Sequence, residues 1–128
     1  MNRSILFALL LAFSIQAQSA TPKITGVFSS MRFGTEDVTG VEVFITYSGK
    51  GYFAQVQCAE GAISQPIIIP VRVNGLFVEF DIPSTLEKNN YACPAGKFEG
   101  KLSFFGLKGH FEGTKWPGLL KRKSSYWQ

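Results

Sequence analysis

The chain has one histidine, two cysteines and two tryptophans among its 128 residues. That stock excludes the usual metal centres, because His110 is the only histidine and neither a CxxC nor an HxxxH spacing occurs. The distance between Cys58 and Cys93 also excludes a thioredoxin-like redox pair. Amphipathic helical spacing is missing beyond the first residues, so no glycine leads into a helix N-terminus and a phosphate loop has no place. No later segment approaches the ~20 apolar residues of a membrane-spanning helix. These absences predict no cofactor, no bound metal and no transmembrane segment.

The N-terminus carries the strongest positive signal. Arg3 and the α-amino group precede an apolar run from Ile5 to Ile15, interrupted only by Ser14. Ala17-Gln18-Ser19 then presents small residues at the spacing signal peptidase reads. The pattern predicts a signal peptide over 1–19, cut before Ala20. A cut after Ala20 is the second choice, because Gln18 would then stand at position −3. Residues 20–128 are expected to form a single β domain in the periplasm or secreted medium. No cysteine lies near the cut, which excludes lipid attachment there.

Loss of Arg3 lowers the formal charge from +4 to +3. Lys108, Lys115, Lys121, Arg122 and Lys123 crowd the last quarter, while Glu36, Asp37 and Glu42 lie early. A basic end suits anionic partners such as phosphorylated lipid or acidic glycans; a solvated face that aids solubility explains the same residues. An even cysteine count in an exported chain predicts a disulfide between Cys58 and Cys93.

The rest reads as strands punctuated by glycine. Ile24–Ser29, Val41–Tyr47, Tyr52–Cys58, Ile67–Val73, Leu76–Ile82, Lys97–Phe105, Leu107–Thr114 and Leu119–Trp127 are the expected strands, with 83–96 a longer loop. Ser48-Gly49-Lys50-Gly51 joins the second to the third. Asn74-Gly75 reads as a type I′ hairpin turn, and Pro70 implies an edge or a bulge. In the sixth strand Phe98, Gly100, Leu102 and Phe104 are expected to face inward. The fold expected is all-β: a small antiparallel β-barrel, or barrel-like meander, of about eight strands with one disulfide. Its core should include Phe28, Val43, Ile45, Ile69, Val71, Val78, Phe80, Phe98, Leu102 and Phe111. Gly-x-Phe recurs at Gly26/Phe28, Gly51/Phe53, Gly75/Phe77, Gly96/Phe98 and Gly109/Phe111. The repeat reads as a device for bending strands into a barrel.

No constellation for catalysis emerges. A base at His110 would need an acid and a nucleophile such as Glu112 and Ser103, and the spacing does not assemble them. The chain is therefore expected not to be an enzyme. C-terminal aromatics interleaved with cations suit nucleic acid, but export argues against that partner. Two binding surfaces remain. The Ser48, Lys50 and Tyr52 tip holds a cation and an aromatic on a short turn. Its Ser-Gly-Lys-Gly-Tyr run resembles, over those few residues, the Ser-Gly-bearing loop that small periplasmic lysozyme inhibitors insert into an active site; ordinary turns share this composition. The second surface is the basic aromatic tail from Lys115 to Trp127, with Lys121, Arg122 and Lys123, of which at least two should face water; Trp127 reads as the final core plug. The function expected is an exported, non-catalytic module that binds or inhibits a protein outside the cytoplasm, such as a cell-wall hydrolase or toxin, or meets an anionic envelope surface. The alternative is a carrier of a small apolar or anionic ligand inside the barrel.

Overall fold

A computed structural model describes residues 20–85 and 93–123. The expected signal peptide over 1–19, and Tyr126 and Trp127 of the tail, lie outside the described residues. Nine strands follow in order: β1 (Gly26–Ser29), β2 (Arg32–Phe33), β3 (Val38–Ser48), β4 (Gly51–Ile63), β5 (Ile67–Asn74), β6 (Phe77–Ile82), β7 (Gly96–Ser103), β8 (Gly106–Phe111) and β9 (Pro117–Arg122). From β3 to β9 each strand pairs antiparallel with the next. β1 pairs with both β3 and β9, which closes an eight-stranded barrel, and β2 extends the partner of β3 as one extra strand.

Closure follows from the period-two pattern. Apolar side chains at alternate positions must share one face, and a closed sheet buries that face against itself. All ten core residues expected from the sequence are at most 7% exposed. Phe80 and Phe98 stack at 4.5 Å between ring centroids, and Phe111 meets Phe98 edge-on at 5.2 Å. Gly109 admits this stack: a Cβ there would lie 2.5 Å from both the Glu99 carbonyl oxygen and Phe98 Cζ. Outside, Arg72 pairs with Asp81 at 2.8 Å and with Glu79 at 3.4 Å, and Lys97 pairs with Glu79 and Glu99. The interior is apolar, and no helix among the described residues is long and apolar enough to cross a membrane.

Several local expectations shift. β7 ends at Ser103, not at Phe105; Ser103 pairs with Gly106, so Phe104 and Phe105 are the turn and Phe104 is 64% exposed instead of inward. A two-residue turn has no barrel interior beneath it, which is why the alternation stops there. The β5–β6 turn is centred on Gly75-Leu76, because Asn74 pairs with Phe77, and only Gly75 has positive φ, at 60°. That is the pattern of a type II′ turn, with glycine first, in place of type I′. β8 stops at Phe111, and β9 begins two residues before the expected Leu119. The β5–β6 ladder begins only at Arg72, which leaves Pro70 beyond it, edge-like towards β6 while paired with Phe53 of β4. Of the Gly-x-Phe copies, Phe28, Phe98 and Phe111 are fully buried, whereas Phe77 is 56% exposed.

Cys58 and Cys93 form the disulfide, both buried, with Cα atoms 5.1 Å apart. The bridge ties β4 to the connection before β7 and accords with an oxidising, extracytoplasmic environment.

Candidate binding surface

The meander puts the β3–β4, β5–β6 and β7–β8 turns at one end of the barrel, called the lower end here, together with the start of β1 and the end of β9. The Ser48–Tyr52 tip and the Lys121–Lys123 part of the expected tail therefore fall on the lower end. Lys115 and Trp116 do not: they lie in the β8–β9 connection, at the upper end.

At the first surface, Ser48 pairs with Gly51 and leaves Gly49 and Lys50 as the turn. The Ser48 hydroxyl accepts a hydrogen bond from the Lys50 backbone N–H at 3.2 Å, so this side chain braces the turn from within. Tyr47 and Tyr52 face each other across the strands in an edge-on pair at 4.9 Å. Tyr52 packs partly against the core, and Tyr47, missed in the sequence, is the more exposed ring at 60%.

At the second surface, Lys121 and Lys123 are exposed, but Arg122 is engaged. It follows Leu120 by two residues and so shares its inward face. Its guanidinium lies 4.6 Å from the Phe28 ring centroid, donates to the Thr25 carbonyl at 3.0 Å and also donates to that of Lys23. These contacts join the chain's first strand to its last, where the β1–β9 ladder has only the Phe28–Arg122 and Ser29–Lys121 pairs. Arg122→Ala is expected to lower stability by ~2 kcal/mol, from charge-assisted hydrogen bonds and a cation–π contact. Lys121→Ala should change it by less than ~0.5 kcal/mol, as for an exposed side chain. Urea denaturation of the two variants checks this, and equal midpoints would refute the closing role of Arg122.

Comparison with family models, curated proteins and solved structures finds no match.

Other features of the lower end lie outside the two surfaces expected from the sequence. Phe104 and Phe105 are 64% and 79% exposed on the β7–β8 turn. Above them a cross-strand row runs Phe77, Lys101, Lys108, Leu119 over β6 to β9. Lys101 Nζ stands 5.5 Å from the Phe77 ring centroid. The two lysines are direct cross-strand neighbours, an arrangement that costs stability through like-charge repulsion. No carboxylate occurs in this row, in the chain below it or in the Ser48–Gly51 tip among the described residues. The signal was present in the sequence: two phenylalanines between Ser103 and Gly106 cannot both face a core.

A shallow groove of about 280 Å³ crosses the outer face between Phe77, Glu99, Lys108 and His110. His110 sits directly across from Glu99. A hydrogen bond from Lys97, then the nearby charge of Lys97 and of His110, holds the Glu99 carboxyl below its ordinary value. Ser103 is not brought to His110: its hydroxyl donates to the Gly106 carbonyl and accepts from the Phe105 N–H, both at 3.2 Å, in the β7–β8 turn. Among the described residues no group of three potential metal ligands forms. Inside, Phe28, Phe80, Phe98 and Phe111 are all fully buried.

Proposed function

We propose that the chain is an exported, non-catalytic module of the periplasm or secreted medium that binds or inhibits a protein there, such as a cell-wall hydrolase or toxin. The observation that carries this reading is the β3–β4 tip, where Tyr47, Lys50 and Tyr52 stand on a turn braced by its own serine hydroxyl. The turn backbone and the Tyr47–Tyr52 ring pair are held before contact, and aromatic side chains so held anchor interfaces because little ordering entropy remains to be lost. Four fully buried phenylalanines, Phe28, Phe80, Phe98 and Phe111, favour the same reading over the carrier, since they occupy interior positions that a carrier would leave to its ligand.

The test is capture of partners from the host's cell envelope with the barrel domain, followed by affinity measurement on the purified partner. Tyr47→Ala combined with Lys50→Ala is expected to weaken binding by at least about 30-fold, the effect of losing an interface anchor. Binding in a dry cleft should change little with salt. A captured partner whose affinity is unchanged by the double substitution would overturn the assignment of the tip.

A further inference from the structure

We propose that the β7–β8 end of the barrel docks on an anionic phospholipid bilayer, with Phe104 and Phe105 entering the interface and Lys101, Lys108 and Lys121 meeting lipid phosphates. Three observations carry it. The first is exposure: a two-residue turn bears two adjacent phenylalanines, 64% and 79% exposed, with no element beneath them to pack on among the described residues. The second is charge. Lys121 pairs with Gly106 beside the tip, and Lys101 pairs with Lys108 just above it. The nearest acids on these strands, Glu79 and Glu99, lie two residues further up and are already paired with Arg72 and Lys97.

The third observation is vertical order. The apolar residues form the extremity and the cations form the next tier. A bilayer presents the matching sequence of layers, with phosphates at its surface and hydrocarbon below. The stems of Lys101 and Lys108 can lie along Phe77 and Leu119, 56% and 41% exposed, while their ammonium groups stay at phosphate level. A protein partner would need a concave acidic cleft to receive this convex tip, whereas a fluid surface yields to it. This site is separate from the Tyr47–Lys50 tip: two barrel strands lie between the two turns on either side, so the turns sit across the mouth from each other.

The test uses the barrel domain with phosphatidylcholine vesicles, with and without phosphatidylglycerol, in a co-sedimentation assay. Binding is expected only to the anionic vesicles and should fall steeply with added salt. Phe104→Ser with Phe105→Ser should reduce partitioning at least about tenfold, through the lost apolar contact, and thermal unfolding should show the fold retained. Phe105→Trp should bind as the parent does, with its emission shifting to the blue on the anionic vesicles. Equal partitioning of the serine variant and the parent, or no spectral shift, would overturn insertion. Equal binding to neutral vesicles, or none to either kind, would overturn the lipid assignment while leaving the protein-binding tip to be judged by its own experiment.

Discussion

Phe98→Ala should destabilise the barrel by ~3–5 kcal/mol, the range for removing a fully buried aromatic ring. Phe98 is the middle ring of three: it stacks on Phe80 and receives Phe111 edge-on. The site also has little freedom to collapse after truncation. Gly100 and Gly109 supply no side chains to move into the void, and the backbone around them belongs to ladders on both sides. Domains of this size are stable by only ~5–15 kcal/mol in total, so a loss of this order approaches unfolding. The measurement is the urea midpoint of the variant with the denaturant slope unchanged. A loss under ~1 kcal/mol would show that the ring stack does not organise the interior.

The second large effect concerns the bridge. Cys58 and Cys93 are 35 residues apart, and closing a loop of that length restricts the unfolded chain by ~4 kcal/mol in the chain-entropy view. Simultaneous Cys58→Ser and Cys93→Ser should remove most of that, and two hydroxyls would enter a buried site where the bridged sulfurs are nearly inaccessible. Guanidinium denaturation of the double variant, and of the parent with and without reductant, separates the two contributions. Equal stability of the parent in both redox states would contradict the bridge as a determinant of the fold.

The architecture was legible in the sequence because its causes are local. Leu76, Val78, Phe80 and Ile82 alternate with charged or exposed neighbours, and that pattern alone sets which face turns in. The disulfide was legible because only two cysteines exist. Closure of the barrel was less so: β1 must meet β9, a pairing between residues such as Phe28 and Arg122 that no local pattern announces. The candidate site is legible only in part. A glycine-rich turn marks Lys50 in the sequence, whereas Tyr47 does not stand out there because an aromatic at a strand end looks like core. The sequence groups Arg122 with Lys121 and Lys123 as a partner-binding cluster of which at least two face water; Lys121 and Lys123 do, while alternation turns Arg122 towards Phe28. Phe104 and Phe105 were read as strand because aromatic residues favour strands, and the turn that exposes them is set by pairing of Ser103 with Gly106.

The ends of the barrel differ in charge. Towards the upper rim the carboxylates of Glu36, Asp37, Glu60, Asp81 and Glu112 outnumber the cations Arg32, Lys97 and Lys115, and the lower rim carries cations without acids among the described residues. Such a separation gives the described barrel an electric dipole along its axis. In the field of a negatively charged surface the barrel experiences a torque before it makes any contact, once it comes within a Debye length, ~8 Å at physiological ionic strength. Encounters are then biased towards lower-rim-first approach, which raises the fraction of collisions that are productive. Reversing the sign of Lys101, Lys108 and Lys121 would turn the dipole's effect against approach, slowing association even where the apolar tip is intact.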